Sequence, residues 1–311
     1  MENYLIAMCV SAGIYALMAL GMNIIWGMAG LINLGLVGFF AVGAYTSALL
    51  TVKLGFPIAL GIAAGGVMAA LVGVLVSLCT ARLRGDYLAI VTLGFAETIR
   101  VVATNEIWLT NGSDGISGIP GPWRGTLTPI QFNSLYLAVV VALVTVAFVL
   151  VERLSYSPFG RVLRAIRDDE QVAGVAGKHV LLYKVQAFAL GSVALGVAGA
   201  LYAHYTSYIA PDIFVPLLTL YIKLALLAGG VGNSKGAVLG AVVVVFFLES
   251  TRFIVPLIPY ISPVQGAALR ELIVSVSLLV ILRFRARGLV PEARSHLVVP
   301  VALPEPTRAA A

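Results

Sequence analysis

Nine stretches of the chain are apolar over close to the length of a membrane span: about 4–26, 31–52, 57–79, 87–105, 133–152, 183–206, 215–231, 236–255 and 269–283. An α-helix needs roughly 20 apolar residues to cross the hydrocarbon layer. Backbone polar groups in lipid must find partners within their own segment, so these runs predict helices. The 311 residues are 60% hydrophobic and only 11% charged, whereas soluble domains carry about a quarter charged residues. A water-soluble fold of this length has no core large enough for so much apolar surface. The expected fold is an all-α integral membrane protein, a polytopic bundle of about nine transmembrane helices, some broken by glycine. It forms one membrane domain over residues 1–292, with a flexible tail over 293–311 in a Pro/Ala-rich stretch that frays beyond Val290. No basic segment precedes the first run, which therefore reads as a retained span rather than a leader.

The net charge of +6 could suggest nucleic acid, but the basic residues sit in short clusters between apolar runs. That is the pattern of orientation signals. If nine spans are counted, one side holds fourteen: Arg82, Arg84, Arg153, Arg161, Arg164, Arg167, Lys178, Lys184, Lys235, Arg283, Arg285, Arg287, Arg294 and Arg308. The other side holds four: Lys53, Arg124, Arg252 and Arg270. The asymmetry predicts an outer N-terminus and an inner C-terminus. It leaves nucleic acid without a role.

Two loops are long. The one at 105–132 is rich in Gly and Pro and is expected to face outward. The one at 153–184 faces inward. Within it, RVLRAIRDDEQVAGVA places Arg161, Arg164 and Arg167 three apart, with Val162, Ala165 and Ile166 on another face. The acidic run Asp168, Asp169 and Glu170 follows, then small residues. The pattern predicts a short amphipathic helix, a glycine-bearing turn from Gly174 to Gly177, and a return to the membrane. Such a helix either seats in a groove on a partner or lies on an anionic lipid surface.

Glycine interrupts two further segments. GMNIIWGMAGLINLGLVGFFAVGAY carries Asn23 and Asn33, and LAGGVGNSKGAVLGA carries Asn233. Paired interruptions of this kind can mark broken helices beside a transport path, and small residues also serve plain close packing. Asn23, Asn33, Asn233 and the intramembrane Glu97 are the candidate path residues. Glu97 and Arg100 share a helix face, as do Glu249 and Arg252, and Lys223 stands inside the seventh span. Charges at that depth either line a path or form structural ion pairs, with arginine reaching back to a helix end. Cys9, Cys79 and the isolated His204 have no metal-ligand spacing, so no metal site is expected.

The sequence has no G-x-x-x-x-G-K-[ST] run; GVAGKH at 174–179 lacks both the spacing and the hydroxyl residue. It also has no nucleophile elbow. A self-powered pump and an enzyme are both disfavoured.

Several runs, in order, resemble the permeases of branched-chain amino acid ABC importers, of the LivM type. They are GMNIIWGMAGLINLG with FFAVGAYTSALL, RLRGDYLAIVTLGFAETIR at 82–100, NGSDGISGIPGP at 111–122, the long run SPFGRVLRAIRDDEQVAGVAGKHVLLYKVQAFAL at 157–190, ALYAHYTSYIAPDIF at 200–214, LLAGGVGNSKGAVLGA and FRARGLVPE. The resemblance covers about residues 10–292. It implies a subunit without cofactor of its own, working with a second homologous permease in the bilayer. It further implies two cytoplasmic ATP-binding subunits and a periplasmic substrate-binding protein in a bacterial inner membrane. On that reading Arg161, Arg164, Arg167, Asp168, Asp169, Glu170, Gly174 and Gly177 belong to an ATPase-coupling loop, and 105–132 becomes a docking surface for the binding protein. Where the family usually closes on F-R-P-Q-G-L, this chain reads Phe284-Arg285-Ala286-Arg287-Gly288-Leu289. Related urea and short-chain amide importers share the motifs, so the substrate stays open among them. An ion-coupled secondary transporter using Glu97 as proton carrier is the rival from another class.

Overall fold

The computed structural model describes residues 2–81, 83, 85–125, 127–254, 263–284 and 288–292. It is an all-α membrane protein. The elements are α1 (Glu2–Met22), a π-helical turn (Asn23–Met28), α2 (Leu36–Val52), α3 (Ile58–Cys79), α4 (Asp86–Asn105), α5 (Ile107–Thr110), β1 (Ile116–Ser117), α6 (Pro129–Tyr156), α7 (Pro158–Asp168), α8 (Glu170–Val175), α9 (Val180–Thr206), β2 (Tyr208–Ile209), α10 (Pro216–Gly229), α11 (Ser234–Ile254) and α12 (Pro263–Phe284). Each of the nine apolar stretches falls on a helix, though α2 and α10 have only 17 and 14 residues. Among the described residues, seven helices are long and apolar enough to cross a membrane, and α2 is a shorter apolar helix.

The main departure is at the second stretch. It was expected from residue 31, but α2 begins at Leu36. Residues 29–35 are taken by the exit from the π-turn and by an Asn33 turn, in which the side-chain Oδ1 accepts the Gly35 N–H at 2.7 Å. That local bond competes with helical pairing.

Lipid gives helices no hydrophobic reason to associate, so small residues and close backbone approach decide the packing. α1 runs through the middle, against α6, α9, α10 and α11, while α2, α3 and α9 form a tight group beside it. The α3–α9 contact is an antiparallel ladder of small residues. A Cβ placed on Gly65, Gly196 or Gly73 would come within 3.4 Å of Ala200, 2.5 Å of Ala69 and 2.5 Å of Ser192. The outward faces of α3, α4 and α6 carry large exposed apolar side chains, among them Leu71, Leu75, Ile90, Val146 and Leu150, as a lipid-facing surface requires.

The two long loops sit at opposite ends of this bundle. At one end the 105–132 segment is clipped down. β1 pairs antiparallel with β2 (Ile116 with Ile209, Ser117 with Tyr208), and Lys53 Nζ donates to the carbonyls of Trp108 and Leu109. His204, isolated in the sequence, is a fastener here. Its two ring nitrogens lie 2.8 Å from Ser47 Oγ and 2.7 Å from the Pro120 carbonyl. At the other end lie α7, α8, the π-turn, the α10–α11 turn and residues 288–292.

Candidate functional site

The α7–α8 hairpin is built by two caps. Ser157 precedes Pro158 at the first helical position, and its Oγ accepts the Gly160 N–H; proline there loses nothing, since that N–H has no helical partner anyway. Asp169 then ends α7 with extended backbone and caps α8, its Oδ1 accepting the N–H groups of Gln171 (2.8 Å) and Val172 (3.0 Å). The loop therefore holds two helices rather than the single amphipathic one expected, and Gly174 lies inside α8 instead of in a turn. The turn comes at Gly177, whose φ of +76° is in the left-handed region.

The buried face of α7 consists of Gly160, Leu163 and Ile166. Val162 and Ala165, which the spacing groups with Ile166, point instead into an open groove between α7 and α8. This groove is about 570 Å³, with Val172, Ala173 and Ala176 on its far wall and Arg161, Asp168, Asp169 and Lys178 at its rim. Val172 and Val175 beside it are 64% and 92% exposed. Helical spacing alone puts Val162, Ala165 and Ile166 on one apolar stripe, but it does not say which edge of that stripe meets the bundle and which borders the groove, and only Ile166 is among the buried residues.

The three arginines divide into two tasks: Arg161 and Arg164 close the end of α6, and Arg167 reaches into the bundle. Arg161 donates to the Tyr156 carbonyl at 3.1 Å. Arg164 donates to Ser155 Oγ and to the Ser155 carbonyl at 2.9 Å, satisfying the C-terminal end of α6. Arg167 turns into the bundle, donating to the Gly27 carbonyl and pairing with Glu292 at 3.0 Å. The acidic residues divide similarly. Asp168 is exposed at 3.6 Å from Arg167, Asp169 is the cap, and Glu170 pairs at 2.8 Å with the buried Lys184 of α9. That last pair anchors the hairpin to a long helix reaching the opposite end.

Two of the predicted path asparagines contact the glycine-broken segments directly. Asn23, fully buried at the start of the π-turn, accepts the Gly232 N–H at 2.9 Å, so the two interrupted segments touch. Asn33 turns back on Gly35, and a buried Thr92 of α4 lies beside it, its Oγ1 accepting the Leu34 N–H. Because each Oδ1 faces an N–H, the amide orientations follow from the bonds themselves. Their Nδ2 groups have no hydrogen-bond partner among the described residues. Asn233 caps α11 through Lys235 N–H and donates to the Pro291 carbonyl. Glu97 stands apart, held by Arg100 of its own helix at 2.8 Å with both side chains about a third exposed. Lys223 lies over the Trp26 ring at 5.3 Å, a cation–π contact. Glu249 accepts from the Tyr4 hydroxyl, and the Arg252 side chain lies outside the described residues.

Sequence reading missed the Glu170–Lys184 and Arg167–Glu292 pairs. The frayed stretch expected beyond Val290 is also corrected for its first residues. Pro291 and Glu292 are both held, while 293–311 lie outside the described residues. No local signal could have found Glu292, which sits 125 residues from its partner.

The family described as the branched-chain amino acid transport system permease component matches residues 4–282. The chain belongs to that family. It is 35% identical to the high-affinity branched-chain amino acid transport system permease protein LivM of Escherichia coli K12, over 77% of this chain and 61% of that protein. The chain thus spans about three fifths of that relative's length. A probable branched-chain amino acid permease LivM from Methanocaldococcus jannaschii is 29% identical over 90% of this chain and 91% of its own. The nucleoside ABC transporter permease protein NupC of Lactococcus lactis is 25% identical over 85% and 86%. No solved structure matches the chain.

Proposed function

We propose that this chain is a channel-forming permease subunit of an ATP-driven importer for branched-chain or related small amino acids. The observation that carries the reading is the α7–α8 groove: apolar inside, charged at its rim, open at one end of the bundle and tied to α9 by the ion pair of Glu170 with the buried Lys184. Exposed valines on a charged loop are suited to being covered by a partner. Two ATP-binding subunits supply the energy, since this chain has no P-loop. A second permease completes the path. The loop-charge asymmetry supports a reading with this end and the C-terminus in the cytoplasm and the N-terminus outside, in an inner membrane. The clipped 105–132 loop, with Trp108 exposed, then faces a periplasmic binding protein.

Transport runs by alternating access. Closure of the ATP-binding subunits presses on α7–α8 and shifts the bundle between two states. It can shift them only by the difference in its affinity for each. NupC-like kinship shows that one permease framework accompanies different solutes, so the solute assignment rests on the LivM relatives.

The test fills the groove without touching this chain's core. Ala165→Trp should abolish co-purification of the ATP-binding subunits and ATP-dependent leucine uptake, with normal membrane insertion. Uptake and co-purification at wild-type level would sink the docking assignment. Uptake of leucine that persists without ATP and vanishes with the proton gradient would favour the ion-coupled rival. Competition by nucleoside or urea, and none by isoleucine or valine, would overturn the solute class.

A further inference from the structure

We propose that Arg167 is the positioning residue through which the α7–α8 hairpin holds and releases the inner end of the transport path, with Glu292 as its second anchor. The proposal rests on the functional reading above.

The physical case starts from helix ends. The last carbonyls of a helix lack intrahelical partners and form the negative end of its dipole, where a cation or an N–H is favourable. α1 ends in the π-turn, and the Gly27 carbonyl there accepts from the Arg167 guanidinium. α10 ends at Gly229, and the Ala228 and Gly229 carbonyls accept the N–H groups of Leu289 and Val290, both at 2.8 Å. Two helices of the bundle are therefore closed at this end by segments from outside them. One cap belongs to the coupling hairpin and the other to the segment after α12. Arg167 and Glu292, 3.0 Å apart and only 26% and 20% exposed, tie the two caps together.

The backbone is shaped to admit this pair. Gly30 has φ +70° and lies against the Arg167 stem, so a Cβ there would come within 2.7 Å of Arg167 Cγ. Gly232 has φ +86° and lies under the Glu292 carboxylate, with the same clearance to Cδ. Gly232 in turn donates to Asn23 at the head of the π-turn. A displacement of α7 thus reaches both interrupted segments through one guanidinium, and among the described residues neither Arg161 nor Arg164 has such a link. Only a planar, forked cation serves both partners at once.

The test uses the full complex with its ATP-binding subunits and binding protein in proteoliposomes, reading leucine uptake and ATP hydrolysis side by side. Arg167→Gln and Glu292→Gln should each cut uptake roughly tenfold while hydrolysis stays within about twofold of wild type and the complex remains assembled. The double variant should be no worse than the weaker single, because the two side chains act as one unit. Arg167→Lys, which keeps the charge but not the fork, should fall between. If Arg167→Gln does not assemble, Glu292→Gln decides alone, since it leaves the Gly27 bond in place. Uptake per ATP equal to wild type in Glu292→Gln overturns the proposal. So does a parallel fall of uptake and hydrolysis, which a merely structural pair would produce. A wild-type complex without ATP-dependent uptake would instead overturn the functional reading beneath it.

Discussion

Gly43, Gly65 and Gly196 meet where α2, α3 and α9 cross. A Cβ on Gly43 would lie 2.1 Å from the Gly196 carbonyl oxygen, and one on Gly65 would lie 2.8 Å from that of Gly43. Contacts this close are between backbones, which cannot step aside as a flexible side chain can. Gly196→Leu should therefore separate α9 from α3 and lower the thermal unfolding temperature in detergent by several degrees or more; overpacking of a filled core costs about 1–3 kcal/mol, occasionally more. An unchanged melt would show that the three helices are not packed as described. The sequence carried part of this. Gly61, Gly65, Ala69 and Gly73 recur every fourth residue, as do Ser192, Gly196 and Ala200. Such spacing marks a face made for close approach. It does not say which helix approaches, and glycines suited to packing look the same in one dimension as glycines suited to a path.

At the scale of elements, the hairpin depends on Asp169. It stops one helix and starts the next, and its carboxylate takes two N–H groups that would otherwise be unpaired. Asp169→Ala should weaken α8 by about 1 kcal/mol, read as faster amide exchange over 170–176 with α7 unaffected, while Asp169→Asn should behave nearly as wild type. Equal exchange in all three would exclude the cap. The acidic run was visible in the sequence, but its members looked equivalent. Their division into a solvated charge, a cap and an ion-pair partner for the buried Lys184 follows from where the chain turns after Asp168. The same is true of the three arginines, whose spacing suggested one face and whose contacts serve three segments.

For the whole molecule, the spans and loop charges predict topology before any contact is known. A reporter at the C-terminus should be protected from protease in spheroplasts, and one at the N-terminus should be cleaved. The reverse pattern would refute the charge reading and turn the α7–α8 groove away from any cytoplasmic subunit. The nine apolar runs, their helical state and their alternation follow from the sequence alone, because lipid leaves the backbone one local way to satisfy itself and hydropathy is a sum over neighbouring residues. The antiparallel α3–α9 ladder, the contact of Asn23 with Gly232 and the Arg167–Glu292 link were decided only by the tertiary structure. Each joins residues far apart in the chain, and no local propensity or period carries information about which distant carbonyl or carboxylate will arrive.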